Sequence, residues 1–152
     1  MNLELALKKI KNIDKQAKSA SEDRWLSVVK PLFSLGRLEK AVTKMAAVKG
    51  TPVYSLDKKT LVLMCADNGV VSEGISQCGQ EVTATVAQSF MKMSSAACVM
   101  AKRVGVDVLP VDAGMAVDVE GMRSIKTAYG TKNIAEGPAM TREECLKIID
   151  RS

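Results

Sequence analysis

The chain has 152 residues, 47% of them hydrophobic and 26% charged, a balance typical of a folded globular protein and not of a disordered one. It contains no histidine, which excludes Ser–His and Cys–His catalysis and most zinc sites. No apolar run approaches the length of a membrane span and no secretory signal is present, so we expect a cytoplasmic protein.

The net positive charge lies at the amino-terminal end. Residues 1–50 carry 11 Lys and Arg against 5 Asp and Glu, whereas residues 51–152 carry 11 against 12. A basic segment of this kind is compatible with binding to nucleic acid. Only Trp25 and Phe33 offer a stacking face there, however, and the lysines are spread over successive helical turns. The pattern favours a solvated helix face, with no nucleic-acid and no membrane partner.

The first fifty residues are predicted to form a small helical unit. Apolar residues recur at helical spacing over residues 2–19 and over 22–30. The second helix should end near Pro31, because the residue before a proline is disfavoured in the α region. A third helix should follow Ser34, a suitable N-cap, and end at Gly50.

The remainder of the chain alternates strands and helices. The apolar run over residues 60–66 predicts a strand buried on both faces, as in a parallel sheet covered by helices. Residues 82–104 are typical of two helices separated near residues 94–95, and residues 106–114 of a second strand, which together predict a βαβ unit. Pro110 indicates that the second strand lies at an edge or ends early.

Two more elements follow: a short strand over residues 122–127, and a last helix that opens with the capping box Thr141-x-x-Glu144. A parallel sheet of two or three strands cannot cover both its faces or close its edges. We therefore expect an α/β fold that is truncated at its carboxyl end. Its predicted domains are a small helical segment over residues 1–50 and the front part of an α/β substrate-binding domain over residues 51–152.

The segment after the first strand carries the candidate ligand site. Asp67 follows the strand directly, and a polar string, Ser76–Gln77–Cys78–Gly79–Gln80, continues the loop. Ligands of open α/β sheets bind beyond the carboxyl ends of the strands, which makes this loop a candidate wall of a ligand site. Asp-Asn-Gly after a strand is also an ordinary turn in which the aspartate bonds nearby backbone, and the residues alone leave both interpretations open.

Three segments resemble the motifs of one family, nicotinate-nucleotide:dimethylbenzimidazole phosphoribosyltransferase, which acts in assembly of the lower ligand of cobalamin. Residues 30–39, KPLFSLGRLE, resemble its KPxGSLGxLE. Residues 65–74, CADNGVVSEG, resemble its ADHGVxxEGV and are followed by QEVTA at residues 80–84. Residues 133–141, NIAEGPAMT, resemble its NIAxGPAMT. The motifs stand in order at family-like spacing through nearly the whole chain.

The resemblance implies a cytoplasmic homodimer with a small helical domain and a parallel Rossmann-like sheet flanked by helices. It implies phosphoribosyl transfer from nicotinate mononucleotide to 5,6-dimethylbenzimidazole: a ring nitrogen of the base attacks C1′ of the ribose, nicotinate leaves, and α-ribazole 5′-phosphate forms. No metal or organic cofactor takes part. The reaction requires that two reactants be positioned and that a carboxylate take the azole proton.

The resemblance also implies which side of the pocket this chain supplies. Substrate contacts are expected from Asp67, Ser76, Gln77, Cys78 and Gln80, on the side of the aromatic base. Glu73 and Glu136 also match family motifs. The resemblance leaves two roles open for them, a hydrogen-bonding role inside the protein and contact with the substrate.

The general base of the family, a glutamate, is expected in a carboxyl-terminal half beyond this chain, so the catalytic residue is unknown here and the 152 residues alone should be inactive. Asn68 stands where the family usually has histidine, and Cys78–Gly79 replaces a frequent Tyr-Pro or Ser-Pro pair, so the preferred base stays open. The alternative is a non-catalytic module, a short relative that binds an azole or pairs with a separate carboxyl-terminal chain.

Overall fold

The computed structural model describes residues 3–152 in two units, one of Leu7–Asp57 and one of the residues up to Ala6 together with Lys58–Ser152. This division describes units within the 152 residues. It does not test the predicted domain boundary near residue 50, which stays a prediction. None of the helices in residues 3–152 has the length and apolar character needed to cross a lipid bilayer.

The first three helices are α1 (Leu3–Lys9), α2 (Lys15–Ser27) and α3 (Arg37–Lys49). The prediction of one continuous helix over residues 2–19 was wrong, because Asp14 acts as the N-cap of α2. Its carboxylate accepts a hydrogen bond from the Ala17 N–H at 2.9 Å, and its own N–H donates to the Ala47 carbonyl. An aspartate that caps a helix has extended backbone, so the preceding helix ends before it.

The start of α3 also differs from the prediction. The helix begins at Arg37 with Gly36 as N-cap, and Ser34 lies in the preceding turn. Ser34 is held in this turn, where its N–H donates to the Pro31 carbonyl and the Gly36 N–H donates to the Phe33 carbonyl, and the Glu39 carboxylate accepts the Leu35 N–H at 3.1 Å just before the helix. The carboxyl end agrees with the prediction: Gly50 is left-handed, with φ of 71°.

Glu39 makes the main ion pair of the helical unit. Lys30 Nζ lies 2.8 Å from Glu39 Oε1, and both side chains are nearly buried, with 13% and 9% exposure. The same ammonium group lies 5.5 Å from the centre of the Trp25 ring. The hydrogen bond from Lys30 lowers the pKa of Glu39, so the carboxylate stays ionised in mildly acidic solution.

The second unit contains the sheet. Its elements in chain order are β1 (Thr60–Ala66), a 3₁₀ helix (Gly69–Glu73), α4 (Glu81–Met91), α5 (Ala96–Arg103), β2 (Asp107–Gly114), β3 (Arg123–Ser124) and α6 (Arg142–Arg151). The strands are parallel in the order β1-β2-β3, which confirms the α/β fold and the βαβ unit. Ser95 caps α5 through the Cys98 N–H, and the predicted capping box opens α6.

Pro110 lies in the middle strand, at a position where β2 has a neighbour on one side only. The Asp107 N–H donates to the Lys59 carbonyl, so alternate residues of β2 turn their N–H groups towards β1 and Pro110 faces the other side. There β3 pairs only with Val111 and Asp112. The proline therefore costs the sheet no hydrogen bond. The prediction of an edge strand or an early strand end was wrong, since β2 is the middle strand and continues to Gly114.

One face of the sheet is packed, and the other is open along β1. Cys65, Ala87 of α4 and Met115 form a buried cluster, with Phe90, Val119 and Met122 around it. The prediction that β1 is buried on both faces was wrong: Val62 is 52% exposed and Met64 is 54% exposed. Successive side chains of a strand point to opposite faces, and α4 packs on the face of Cys65. On the opposite face Val111 of β2, which pairs with Met64, is only 4% exposed, so the exposure belongs to β1.

We predict that the helical unit loses stability in acid through Glu39. Its pKa is below the ordinary value of 4.5 in the folded protein. The stability it contributes is therefore complete above that value and is lost as the pH falls through the folded-state pKa. Glu39→Gln should lower the urea midpoint at about pH 7, and the difference from wild type should shrink as the pH falls below 4.5 and through the folded-state pKa. Fluorescence of Trp25, the sole tryptophan, reports the transition.

The matched control is Glu22→Gln. Glu22 pairs with Lys18 at 3.5 Å, but both side chains are about half exposed. An exposed pair contributes about 0–1 kcal/mol, so this variant should follow wild type across the pH range. Equal behaviour of the two variants at neutral pH would contradict the role given to Glu39.

Candidate functional site

Two buried aspartates stand where β1 and β2 end. Asp67 is 4% exposed, and its Oδ2 accepts a hydrogen bond from the Ala116 N–H at 2.7 Å. Asp112 is 2% exposed, and its Oδ1 accepts from the N–H groups of Gly114 and Met115 at 3.0 and 2.9 Å. Both carboxylates thus fix the backbone of the segment that leaves β2. They hold the rim at the carboxyl ends of the strands, where ligands of α/β sheets bind.

Lys126 pairs with one of these carboxylates. Its Nζ lies 2.8 Å from Asp112 Oδ2 and 2.7 Å from Asp118 Oδ1, and the Tyr129 ring centre is 4.1 Å away. Burial acts to lower the pKa of Lys126, but the hydrogen bonds to Asp112 and Asp118 raise it overall. Hydrogen bonds from Lys126 and then from Tyr129 lower the pKa of Asp118. Lys126 and Asp118 are therefore charged at neutral pH, and the ammonium group of Lys126 is occupied by two carboxylates.

A second contact joins the loop after β1 to the segment around residues 131–133. The Gly69 N–H donates to Thr131 Oγ1 at 3.2 Å, and the Thr131 N–H donates to the Asp67 carbonyl at 3.0 Å. The Asn133 amide donates to the Glu73 carboxylate at 2.5 Å. Two of the three sequence motifs therefore meet in space. Glu73 makes this hydrogen bond at an exposed position, so contact of Glu73 with a substrate stays a prediction.

The polar loop that follows lies at the mouth of this rim. Ser76, Gln77 and Cys78 are exposed, and Gln80 is half-buried. The Gln80 side chain donates from Nε2 to the Asn68 carbonyl at 3.2 Å, which returns the end of the loop to the end of β1. Ser76 Oγ accepts the Cys78 N–H at 3.3 Å.

These groups offer hydrogen-bond donors and acceptors without charge, which suits a neutral nitrogen heterocycle. Among residues 3–152, no three His, Cys, Asp or Glu side chains are grouped so that they could hold a metal ion.

The five residues predicted as substrate contacts thus fall into two groups. Asp67 is buried beneath the rim with Oδ2 engaged, whereas Ser76, Gln77, Cys78 and Gln80 belong to the loop at its mouth. Contact of any of them with a substrate stays a prediction. Sequence reasoning missed Lys126, which stands between Ile125 and Thr127 in a strand-like pattern and carries no local signal of its partners.

Comparison with known proteins gives one consistent family. A family described as phosphoribosyltransferase matches residues 10–152. The nicotinate-nucleotide–dimethylbenzimidazole phosphoribosyltransferase of Acetivibrio thermocellus is 44% identical over 146 residues, which are 95% of this chain and 42% of the relative. The protein of the same name from Clostridium tetani is 41% identical over 150 residues, 97% of this chain and 41% of the relative.

A solved structure extends the likeness to three dimensions. The crystal structure of nicotinate-nucleotide–dimethylbenzimidazole phosphoribosyltransferase from Thermus thermophilus matches with a TM-score of 0.78 and 32% sequence identity. The match covers 89% of this chain and 42% of the other. The chain thus spans well under half the length of the relatives it matches.

We predict that Gly69→Ala separates the two joined segments. A Cβ at Gly69 would lie 2.6 Å from the Lys132 carbonyl carbon and the Thr131 oxygen, both of which are backbone atoms. Overpacking of this kind costs about 1–3 kcal/mol in the free energy of unfolding, measurable by urea titration with far-UV circular dichroism. Gly137→Ala is the control, because a Cβ there meets nothing within 4 Å. Equal stability of the two variants would show that the contact at Gly69 is loose.

A second prediction concerns the buried charge of Asp112. Lys126→Met leaves that carboxylate without its cation and should lower the free energy of unfolding by about 3–5 kcal/mol. Adding Asp112→Asn should restore most of the loss, because a neutral amide oxygen can still accept the N–H groups of Gly114 and Met115. Denaturant titrations of the four members of this cycle measure the coupling. Additive effects of the two substitutions would contradict the pairing.

Proposed function

Because the chain belongs to the nicotinate-nucleotide–dimethylbenzimidazole phosphoribosyltransferase family, we propose that it supplies the base-binding side of that enzyme's active site. The observation that carries the proposal is the polar loop over residues 76–80, which stands at the carboxyl end of β1 and is tied to it by the hydrogen bond from Gln80 to Asn68. This is the edge of an α/β sheet where ligands bind. The substrates named for the relatives are the candidates for this edge.

The loop residues and Asp67 have different roles in this proposal. Ser76, Gln77, Cys78 and Gln80 contact 5,6-dimethylbenzimidazole, since their polar groups can bond the two ring nitrogens and the edge of a flat heterocycle. Asp67 is a positioning residue, because its carboxylate is engaged with the Ala116 N–H. It holds the rim on which the loop stands.

The transfer itself is a substitution at C1′ of nicotinate mononucleotide. A ring nitrogen of the base supplies the electron pair of the new glycosidic bond, nicotinate leaves with the pair of the old one, and a carboxylate accepts the proton of the azole. We assign no residue of this chain to that carboxylate, because Asp67 and Asp112 hold backbone N–H groups and Glu73 holds Asn133. The glutamate of the family is proposed to come from the part of the fold that this chain does not span.

Two further proposals follow from the family. The assembled enzyme is a homodimer, as the resemblance implies. It works in the cytoplasm, and the four cysteines support this proposal because all of them are free thiols, as is usual in a reducing compartment.

The experiment is a titration of the isotope-labelled chain with 5,6-dimethylbenzimidazole, followed by NMR. We expect the amide signals of residues 76–80 to shift and those of residues 7–57 to stay. Gln80→Ala should weaken binding about tenfold or more, the effect of one hydrogen bond of about 1.4 kcal/mol. Gln88→Ala, an exposed glutamine on α4, is the control and should bind as wild type does. Shifts confined to residues outside the loop would overturn the proposed site.

A chimeric protein distinguishes the hypothesis of an enzyme from that of a non-catalytic module. This chain is fused to the portion of the Acetivibrio thermocellus relative outside the matched 42% of its length, and the product is sought with both substrates. Formation of α-ribazole 5′-phosphate, with a rate that falls in the Gln80→Ala chimera, supports the enzyme. Base binding without transfer, in a chimera that folds, favours the azole-binding module.

A further inference from the structure

We propose that Glu81 is a specificity-determining residue of the base-binding side, and that its carboxylate selects a benzimidazole whose six-membered ring carries a hydroxyl or amino group. The inference rests on the proposed function, because it names the class of base that the loop over residues 76–80 takes. It is carried by the position of the Glu81 side chain, by the glycine that this side chain covers, and by the lack of a partner for it within residues 3–152.

The Glu81 side chain extends back from α4 over the preceding loop. Glu81 is the first residue of that helix. A Cβ added at Gly79 would overlap Glu81 Oε2, and it would lie 2.9 Å from the carboxyl carbon and 3.0 Å from Oε1. The carboxylate therefore occupies the space that a side chain of residue 79 would take. It adds a charged group to a loop whose own side chains are uncharged.

This contact explains the glycine at position 79. The backbone of Gly79 is not left-handed, as that of Gly74 is, so its conformation does not require glycine. What glycine supplies here is space, because the carboxylate of Glu81 lies too close for a Cβ. A proline, which is frequent at this position in the family, also has a Cβ and would exclude the carboxylate. The arrangement therefore belongs to the sequence of this chain and not to the family motif.

The Glu81 carboxylate is available to a ligand. Within residues 3–152 its oxygens make no ion pair and no hydrogen bond, whereas Glu73 holds Asn133 and Asp118 is paired with Lys126. The side chain is exposed at the mouth of the rim. It can therefore accept hydrogen bonds from a molecule that lies against the loop.

The negative charge decides which substrate group suits this position. It repels the phosphate and the carboxylate of nicotinate mononucleotide, which leaves the neutral base. A hydroxyl or amino group on the base can donate a charge-assisted hydrogen bond to Glu81. A methyl group at the same place has no proton to donate, and it displaces water from the carboxylate without replacing the hydrogen bond. The loop therefore suits a donor-bearing benzimidazole better than 5,6-dimethylbenzimidazole.

The test compares two bases of nearly equal shape, 5-hydroxybenzimidazole and 5-methylbenzimidazole, in NMR titrations of the labelled chain. Both should shift the amide signals of residues 76–80, and the hydroxyl base should have a Kd about tenfold lower. In Glu81→Gln the ratio of the two Kd values should fall towards one, because a neutral amide forms the weaker hydrogen bond. Glu120→Gln, at an exposed glutamate near the Met91 end of α4, is the control and should keep the wild-type ratio.

Gly79→Ala tests the same contact without a change of charge. The added Cβ overlaps the carboxylate, which lies at the end of a flexible side chain and can move away at little cost to stability. The Kd ratio should fall as it does in Glu81→Gln, and the double variant should show no further fall, because both substitutions remove one contact. Far-UV circular dichroism verifies that the variants fold.

The outcomes distinguish this inference from the proposed function. Loop shifts with both bases, at equal Kd in the wild-type chain, would overturn the role of Glu81 and leave the base site in place. A preference for the hydroxyl base that survives either Glu81→Gln or Gly79→Ala would assign the donor to another acceptor, and it would overturn that role as well. Loop amides that shift with neither base would overturn the proposed site and this inference with it.

Discussion

The rim of the sheet depends on buried carboxylates that accept backbone N–H groups. Asp67 and Asp112 come from neighbouring strands, and each fixes part of the segment that leaves β2. A buried carboxylate is costly unless its charge is met by hydrogen bonds or a cation. Here backbone N–H groups supply hydrogen bonds to both carboxylates, and Lys126 supplies a cation to Asp112. The shape of the edge where a ligand would bind is thus set by electrostatics that are satisfied before any ligand arrives.

The same arrangement explains why the charged residues near the rim are poor candidates for chemistry. Lys126 is shared between two carboxylates, and Glu73 is bound to Asn133. Burial raises the pKa of the Cys65 thiol, and the charges of Asp112 and Asp67 raise it further, so this thiol stays protonated at neutral pH. Beside the exposed carboxylates of Asp118 and Glu73, both already paired, the rim presents the uncharged polar loop over residues 76–80 to solvent. A surface of this kind can select and orient a neutral heterocycle, and it leaves proton transfer to groups outside it.

The sequence was informative wherever a local rule decides the structure. The apolar run of β1, the serine that caps α5 and the capping box of α6 all predicted their elements, because each signal lies within a few residues of its effect. It failed where a distant partner decides. Asp14 caps α2 and its N–H donates to the Ala47 carbonyl of α3, and the exposure of Val62 follows from which elements are available to cover it. The role of Lys126 follows from its ion pair with Asp112, a partner that no residue near it in the sequence indicates.

The proline in the middle strand has a consequence for how the sheet can grow. Since the side of β2 that faces β3 carries no donor at Pro110, a longer β3 would meet a gap in its ladder just below Val111. Pairing among all three strands is confined to Val111 and Asp112 of β2, which have partners in both β1 and β3. The sheet is therefore three strands wide only at the end that carries the two buried aspartates.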